Sequence, residues 1–281
     1  MPEKRQETQR LAAVIGWPVG HSLSPLIHSI WAAREGVRAR YDAIAVDPSD
    51  EAFRKRINEL RVEGYAGVNV TLPHKERALK IADAASDAAR AIGAANMLTF
   101  GGAIRADNSD AAAVSDIIAA LDVRPRSALV IGAGGSARAV LWALKAQEVG
   151  RVFIANRTLA RAEEIAPIAD AEVIAWTARN AALESADLII NATSLGMKGQ
   201  PPLDLDHERL KPGAVVFDIV YAPLETPLLK AARLRGLKTV DGLEMLMRQA
   251  VPGYLAWLGN AAAVDDDLRK RLEAALKARA S

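Results

Sequence analysis

Short apolar segments alternate along this chain with longer segments in which apolar residues recur every three or four positions. Short apolar runs bounded by glycine, proline and polar residues are typical of strands, and the longer periodic segments are typical of helices. Their alternation predicts an α/β protein built on parallel sheets. The strands are expected at Ala12–Gly16, Tyr41–Val46, Gly67–Leu72, Asn96–Phe100, Ala103–Asn108, Arg151–Arg157, Asp187–Thr193, Ala214–Tyr221 and Leu237–Val240, with a further strand opening the βα unit Ser127–Leu144.

Helices are expected between most of these strands, and Asn96–Phe100 with Ala103–Asn108 predicts a hairpin. Ser24 followed by Pro25 predicts an N-cap and a first helical residue, which open a helix that ends near Arg34. The other helical segments are Glu51–Glu63, the stretch that carries Lys75, the alanine-rich Ala82–Ala95, and Leu243–Ser281, in which Pro252-Gly253 should kink or restart the helix.

The first α/β block ends near Asp110, and the second opens with the sequence VIGAGGSARA. This segment follows an expected strand and begins an expected helix, and its glycines fit the spacing G-x-G-x-x-A. The first glycine permits a tight turn, the second lets the backbone approach a pyrophosphate, and the alanine allows close helix–strand packing. We therefore expect a dinucleotide here; the alternative is that the glycines only shape a βα turn. The residues are Gly132, Ala133, Gly134, Gly135, Ser136 and Ala137.

The end of the next strand predicts which dinucleotide binds. An NAD site carries Asp or Glu there, to bind the ribose 2′-hydroxyl. This chain has Asn156, Arg157 and Thr158, with Arg161 about one turn later and no acidic residue among them. Two guanidinium groups suit a 2′-phosphate, so we expect NADP. The alternative is an arginine pair on a solvated helix start.

Composition narrows the classes of function. The 281 residues carry a net charge of +2, so no general basic field favours nucleic acid or an acidic membrane. The chain has no cysteine, which excludes disulfides, thiolate catalysis and zinc–thiolate sites. Its apolar runs are too short for a signal-peptide core or a membrane helix, and its four histidines lack ligand spacing. We expect a soluble cytoplasmic protein that needs no metal.

Small polar residues collect at the strand–helix junctions of the first block, where ligands bind in α/β proteins. Hydroxyl and amide groups suit a polyol, and a lysine with an aspartate suits proton transfer. Taken singly, each residue has a simpler interpretation, such as an N-cap, a turn residue or a solvated lysine. The residues are Ser22, Ser24, Asn69, Thr71, Lys75, Asn96, Asn108 and Asp110.

Several longer motifs occur together and in order. They are IGWPVGHSLSPLIHS at 15–29, GVNVTLPHK at 67–75, GAAN at 93–96, DNSD at 107–110, GAGGSARA at 132–139, NRT at 156–158, NATSLGM at 191–197, YAPLETPLL at 221–229 and DGLEMLMRQA at 241–250. Together they resemble the landmarks of the shikimate dehydrogenase family, from about Val14 to about Gly259. The lysine motif VNVTLPHK is far more specific than a glycine loop.

The resemblance implies a role for each matching residue. Lys75 and Asp110 would be the catalytic pair, and Ser22 and Ser24 would bind the substrate carboxylate. The residues that would bind ring hydroxyls are Asn69, Thr71, Asn96 and Gln249, with Tyr221 nearby. Thr193 and Gly242 would bind the cofactor together with the glycine loop and the arginine segment.

The resemblance also implies two domains. Residues 1–109 and 243–281 would form a substrate domain, and residues 110–242 a Rossmann-like NADP domain inserted into it. The C-terminal helices would return to the first domain, which explains how Gln249 joins residues far earlier in the chain. The implied reaction is the reversible NADPH-dependent reduction of 3-dehydroshikimate to shikimate, a step toward aromatic amino acids, in a monomer or homodimer.

The chain departs from the family pattern close to its catalytic aspartate. Ser109 stands where threonine is usual, Ala111 and Ala113 stand where glycine is common, and Met97 stands where threonine usually follows the asparagine. Two alternatives stay open: a quinate/shikimate dehydrogenase-like paralogue acting on a related ring hydroxy acid, and a non-catalytic NADP-binding regulator. Serine at both carboxylate positions favours shikimate, and retention of the catalytic pair argues against the regulator.

Overall fold

The alternating strands and helices form two units in the computed structural model, which describes residues 9–280. The first unit comprises the chain up to Ser109 together with the residues from Gln249 onward, and the second comprises Asp110–Arg248. Each unit contains a six-stranded sheet.

The first unit has a mixed sheet. Its strands are β1 (Arg10–Gly16), β2 (Ala39–Ala45), β3 (Gly67–Val70), β4 (Ala84–Ala85), β5 (Met97–Thr99) and β6 (Arg105–Asp107), in the spatial order β2-β1-β3-β5-β6-β4. β1 pairs in parallel with β2 and β3, so the carboxyl ends of these strands lie at one edge. β5 pairs antiparallel with β3 and β6, which confirms the expected hairpin.

Four helices belong to the same part of the chain. They are α1 (Ser24–Glu35), α2 (Asp50–Val62), α3 (Lys75–Ile81) and α4 (Asp87–Ile92). The apolar face of α2 packs Phe53, Ile57 and Leu60 into one core with Ile15 of β1 and Val68 of β3. These five residues are at most 1% exposed, so the strand ends that carry the polar residues rest on a fully packed layer.

The second unit has a doubly wound parallel sheet. Its strands are β7 (Ser127–Ile131), β8 (Arg151–Ala155), β9 (Glu172–Ile174), β10 (Leu188–Asn191), β11 (Val215–Asp218) and β12 (Lys238–Val240), in the order β12-β11-β10-β7-β8-β9. Every neighbouring pair is parallel. The strand order reverses between β7 and β10, and sheets of this type bind ligands at that switch point, beyond the carboxyl ends of the strands. The expected Rossmann-like fold is confirmed.

Apolar residues cover both faces of this second sheet. Along β7, Ala128 and Val130 join one core and Leu129 and Ile131 join the other, which explains the unbroken apolar run. The helices are α5 (Ser109–Ala119), α6 (Gly135–Ala146), α7 (Leu159–Ile165), α8 (Arg179–Ala182) and α9 (Pro227–Leu234), with short 3₁₀ turns at Ala166–Ile168, Trp176–Ala178 and His207–Arg209.

The C-terminal helices return to the first unit, as expected. They are α10 (Gly242–Trp257), which enters that unit at Gln249, and α11 (Asp266–Ala280). The Trp257 indole N–H donates to Thr99 Oγ1 at 2.9 Å, and the Trp31 indole N–H donates to the Ala263 carbonyl at 2.8 Å. These bonds tie the end of the chain to β5 and α1.

One helical expectation was wrong, and one of the two alternatives for the last helical segment is excluded. Ala82–Ala95 is not one helix, because Ala84–Ala85 pairs with β6 and a new helix starts after Ser86, whose side chain accepts the Ala89 N–H. The last helical segment does not restart at Pro252-Gly253, because α10 runs unbroken to Trp257. Within residues 9–280, no helix is long and apolar enough to cross a membrane.

Candidate functional site

The carboxyl ends of β1 and β3 bring two polar loops together in the first unit. The Thr71 N–H donates to the Ile15 carbonyl at 2.9 Å, and the Trp17 N–H donates to the Leu72 carbonyl at 2.9 Å. A Cβ on Gly16 would lie 2.3 Å from Thr71 Cγ2, so only glycine fits beside this threonine. The loop after β1 leads to Ser22 and Ser24, and the loop after β3 leads to Lys75.

Ser24 does not cap α1, contrary to the expectation from its sequence. The N-cap is Leu23, Ser24 is the first helical residue, and the Ser22 hydroxyl accepts the Ser24 N–H at 3.2 Å. Ser24 is 5% exposed, and its hydroxyl makes no hydrogen bond with any of the described residues. The simpler interpretation of Ser24 as a helix cap is therefore excluded.

Asn69 is a buried amide held by Tyr41 of β2 and by the backbone of Asn96, just before β5. The Tyr41 hydroxyl donates to Asn69 Oδ1 at 2.6 Å, and Asn69 Nδ2 donates to the Asn96 carbonyl at 3.3 Å. Burial raises the pKa of Tyr41, which keeps its hydroxyl a donor, and lowers the pKa of His28, stacked on Tyr41 at 3.8 Å, to about 3. The amide is thus oriented with its oxygen toward Tyr41, which leaves the second N–H of Nδ2 for another acceptor.

Asn96 fixes the start of the helix that carries Asp110. Its Oδ1 accepts the Ser109 N–H at 2.7 Å, and its Nδ2 donates to the Ser109 hydroxyl at 3.1 Å. Asn108 donates through Nδ2 to the Ala94 carbonyl at 3.0 Å. Asp110 is 8% exposed and lies in the first turn of α5. The serine that replaces the usual threonine therefore keeps the hydroxyl that Asn96 uses.

Lys75 is the first residue of α3, and its carbonyl accepts the Ala95 N–H at 2.9 Å. Its neighbour His74 is fully buried, stacks on Phe53 at 4.9 Å between ring centroids, and bonds the Val46 carbonyl through Nε2 at 2.9 Å. The histidine is a packing residue. The half-buried lysine beside it is held at the same sheet edge as Thr71.

Gln249 lies one turn before Gly253 on α10, and residues four apart share a helix face. A Cβ on Gly253 would lie 3.2 Å from Asn69 Oδ1, so this face approaches Asn69. Among the residues predicted to bind substrate within the first unit, Ser22 and Ser24 follow β1, Asn69 and Thr71 lie at the end of β3, Asn96 precedes β5, and Gln249 lies on α10.

Gly132 forms the turn after β7 at the switch point of the second sheet. Its φ is +113°, and a Cβ there would lie 2.9 Å from the Ala192 carbonyl oxygen and 2.9 Å from Thr193 Cγ2. The fold itself requires glycine at this position. The turn brings the loop after β10 against the glycine-rich segment.

Gly134 and Gly135 differ from Gly132 in one respect. A Cβ on either would meet no atom within 4 Å, and neither has a positive φ. The packing of the protein does not require glycine at these two positions, where the exposed backbone opens α6. An open backbone of this kind at a helix N-terminus can admit the close approach of a pyrophosphate.

Arg157 and Arg161 are exposed at the carboxyl end of β8, and neither forms an ion pair with a described carboxylate. By contrast, Arg138 pairs with Glu164, and Arg151 pairs with Glu172 at 3.0 Å. The Asn156 side chain donates to the Thr158 carbonyl at 2.8 Å and shapes the turn that carries Arg157. The two guanidinium groups are available to a dianion such as a 2′-phosphate.

The Thr193 hydroxyl is committed to its own loop. It donates to Asn191 Oδ1 at 2.7 Å and accepts the Leu195 N–H at 3.0 Å. Asn191 also donates to Asp218 Oδ1 at 2.9 Å. Sequence reasoning missed Asn191 and Asp218; the signal that could have found them is a lone polar residue inside an apolar strand.

The remaining predicted positions lie around the end of β11. A Cβ on Gly242 would lie 2.2 Å from the Ile219 carbonyl oxygen, so packing within this unit requires this glycine. Tyr221 is half-buried in the loop after β11. No cluster of metal-ligating side chains occurs among residues 9–280.

Segments of both units match known protein families. Residues 14–98 match the model of the shikimate dehydrogenase substrate binding domain, and residues 114–198 match that of shikimate/quinate 5-dehydrogenase. A shikimate dehydrogenase (NADP(+)) of Nitrobacter winogradskyi is 48% identical over 96% of this chain and 98% of its own.

Solved structures show the same fold. A shikimate 5-dehydrogenase from Thermus thermophilus, in complex with NADP(H) and shikimate, has a TM-score of 0.84 at 32% identity and covers 95% of this chain and 99% of its own. Quinate dehydrogenase from Corynebacterium glutamicum in complex with NAD has a TM-score of 0.88 at 26% identity and covers 95% and 100%. The chain belongs to the shikimate dehydrogenase family.

Proposed function

We propose that this protein is an NADP-dependent shikimate dehydrogenase, which reversibly reduces 3-dehydroshikimate to shikimate. The observation that carries the proposal is the similarity to a shikimate dehydrogenase (NADP(+)) at 48% identity over 96% of the chain. The same line of evidence favours a place in the biosynthesis of aromatic amino acids. A cytoplasmic location and a monomeric or homodimeric state are part of the proposal.

The first unit supplies the substrate domain in this proposal. Ser22 and Ser24 bind the substrate carboxylate, which the unengaged hydroxyl of Ser24 supports. The ring hydroxyls are bound by Asn69, Thr71, Asn96 and Gln249, with Tyr221 of the second unit as a further contact. Since Asn69 Nδ2 donates one N–H to the Asn96 carbonyl, its second N–H donates to an oxygen acceptor on the ring.

The second unit supplies the NADP domain. Gly132–Ala137 receives the pyrophosphate, and Arg157 and Arg161 pair with the 2′-phosphate. Because the Thr193 hydroxyl is committed to Asn191 and Leu195, Thr193 contributes its backbone and methyl group rather than its hydroxyl. Gly242 contributes by keeping α10 close to the end of β11.

Lys75 and Asp110 carry the proton chemistry. When bound, reduced nicotinamide supplies the hydride that the ketone carbon receives. Negative charge grows on the ketone oxygen as the carbonyl is reduced, and the ammonium group of Lys75 stabilises that charge and donates the proton. Asp110 orients the lysine and accepts a hydrogen bond from a substrate hydroxyl. Asn96 accepts the N–H of Ser109, the first residue of α5, and so fixes the residue that precedes Asp110.

Replacement of the lysine tests the proposal. The wild type should oxidise shikimate with NADP+, followed by the absorbance of NADPH, and Lys75→Ala should lower kcat by roughly 100- to 10,000-fold because general acid–base catalysis is lost. Lys80→Ala removes an exposed lysine of the same helix and should keep wild-type activity. A wild type with no turnover, or full turnover by Lys75→Ala, would contradict the proposal.

A further inference from the structure

A fully buried carboxylate lies at the end of β11, outside the residues predicted to bind cofactor. Asp218 has no exposed surface and accepts three hydrogen bonds. Asn191 Nδ2 and the Val220 N–H donate to its Oδ1 at 2.9 and 3.1 Å, and the Thr226 hydroxyl donates to its Oδ2 at 2.7 Å. All three donors are neutral, so this carboxylate is not half of an ion pair. Burying a charge without a cation is costly, which suggests that the position serves more than stability.

Asn191 connects this carboxylate to the loop after β10. The β10–β11 register places Asn191 directly beside Asp218, and Asn191 is fully buried as well. Its Nδ2 donates to Asp218 Oδ1 at 2.9 Å and to the Leu195 carbonyl at 3.0 Å. Its Oδ1 accepts both the N–H and the hydroxyl of Thr193, at 3.1 and 2.7 Å. The amide therefore has one orientation, because the Thr193 N–H faces Oδ1 and Asp218 is one of the two acceptors that Nδ2 meets.

The loop that Asn191 holds contacts the glycine turn. Thr193 Cγ2 and the Ala192 carbonyl oxygen occupy the space where a Cβ on Gly132 would lie. The Leu195 N–H is bound in turn by the Thr193 hydroxyl at 3.0 Å. A continuous chain of hydrogen bonds and contacts thus runs from Asp218 to the turn that opens the dinucleotide site.

We infer that Asp218 is a positioning residue for dinucleotide binding, which acts by orienting Asn191 and so holds residues 192–195 against the Gly132 turn. The inference rests on the proposed NADP site of the second unit. Asp218 touches no cofactor in this account and acts through the loop at the Gly132 turn, so its loss weakens binding of the nucleotide more than binding of shikimate.

Two substitutions of Asp218 distinguish the effect of its hydrogen-bonding shape from the effect of its negative charge. Asp218→Asn keeps an oxygen where Oδ1 accepts from Asn191 and Val220, and its amide can donate to the Thr226 hydroxyl. Asp218→Ala removes both acceptors, so Asn191 Nδ2 keeps only the Leu195 carbonyl as its acceptor. Thr193→Val is a milder second variant, because it keeps the methyl group beside Gly132 and removes only the hydroxyl that links Asn191 to Leu195.

Asp187→Ala is the matched control. Asp187 accepts the Arg126 and Ser127 N–H groups and pairs with Lys211 at 2.5 Å, so it is also a hydrogen-bonded carboxylate of this unit. It immediately precedes β10, at the end of the strand opposite Asn191. Its loss therefore perturbs the same sheet without touching the loop after β10.

The test measures the dissociation constant of NADPH by fluorescence titration, the KM values for NADP+ and shikimate, and hydrogen exchange of the Thr193 and Leu195 amides in the protein without cofactor. We expect Asp218→Ala and Thr193→Val to raise the NADPH dissociation constant by about tenfold and to speed exchange at Leu195. Asp218→Asn and Asp187→Ala should match the wild type in these measurements.

The inference is overturned if folded Asp218→Ala and Thr193→Val bind NADPH as the wild type does, or if Asp187→Ala weakens NADPH binding equally. It is also overturned if KM for shikimate rises as much as KM for NADP+. A wild type that binds no NADPH would instead contradict the proposed function, and the two failures are thereby distinguishable.

Discussion

Replacing Asp218 by asparagine also makes a quantitative prediction about stability. The carboxyl has no exposed surface, and the groups that donate to it are a side-chain amide, a hydroxyl and a backbone N–H. Burial therefore raises the pKa of Asp218 from 3.8 to about 6, against the opposing effect of these hydrogen bonds. Asparagine has nearly the same shape and carries no charge, so the substitution removes the titration and keeps the packing.

The raised pKa determines the sign and size of the effect. A carboxyl with a higher pKa in the folded chain binds its proton more tightly there. The free energy of unfolding therefore falls as the pH rises from the pKa of the unfolded chain to that of the folded chain. At about 1.4 kcal/mol per pKa unit, the shift from 3.8 to about 6 corresponds to about 3 kcal/mol. About 2 kcal/mol of this falls between roughly pH 4.5 and pH 7.5, because the unfolded carboxyl is largely ionised at the lower pH.

Urea denaturation of the wild type and Asp218→Asn, followed by circular dichroism at these two pH values, checks the prediction. The difference between the two proteins cancels the other titrating groups. The variant should gain about 2 kcal/mol over the wild type between the lower and the higher pH. A difference that stays constant with pH, or that moves in the opposite direction, refutes the reasoning.

Three further substitutions test the two sites. Tyr41→Phe removes the donor to the buried Asn69 amide oxygen, so it should lower the free energy of unfolding by about 1–3 kcal/mol and raise KM for shikimate but not for NADP+. Replacing Arg157 and Arg161 by alanine should raise KM for NADP+ by roughly 10- to 100-fold and leave KM for NAD+ nearly unchanged, because only NADP+ has a 2′-phosphate to lose its partners. Gly134→Ala should keep wild-type stability and weaken NADPH binding, since its Cβ meets only the space that a pyrophosphate would use.

Each substitution has its own contradicting result. The control Tyr65→Phe removes a hydroxyl that donates to Asp42 at 2.5 Å, and it should leave KM for shikimate unchanged. An equal rise of this KM in Tyr41→Phe and Tyr65→Phe would contradict the role of Tyr41. Equal losses with NAD+ and NADP+ would contradict the arginine assignment. Gly134→Ala would fail as a prediction if NADPH bound it normally, whereas Gly132→Ala should be unstable because of its φ of +113°.

The sheets and the glycine turn were predictable because they depend on local pattern. The apolar run of β7 predicts a strand, and the glycines after it predict a turn, from residues that are adjacent in the sequence. The strand Ala84–Ala85 was not predictable, because it forms only by pairing with β6, where the Asp83 N–H donates to the Ile104 carbonyl at 2.9 Å. This distant pairing overrides the helix propensity of alanine.

The polar interior of the candidate sites was predictable only in part. The resemblance gave Asn69 and Asn96 roles toward the substrate, but not the Tyr41 donor or the Ser109 acceptor that orient them. Asn191 and Asp218 meet because of the β10–β11 register, which no local pattern specifies. Local spacing suggested that Ser24 caps α1, and the structure gives that position to Leu23.

The departures near Asp110 bear on the choice of ring acid. Ala111 and Ala113 are at most 1% exposed in α5, and Met97 is 6% exposed in β5 opposite Asn69. All three are buried, and Ala113 belongs to a core cluster of the second unit. None of them removes a group that the proposed mechanism uses, so the account predicts that the shikimate activity is retained.

The most direct test of the central claim is a comparison of kcat/KM for shikimate and quinate, each with NADP+ and with NAD+. The account predicts that shikimate with NADP+ exceeds each of the other three combinations by about tenfold or more, because Ser22 and Ser24 favour shikimate and the two exposed arginines favour the 2′-phosphate. A preference for quinate, or equal use of NAD+, would contradict it.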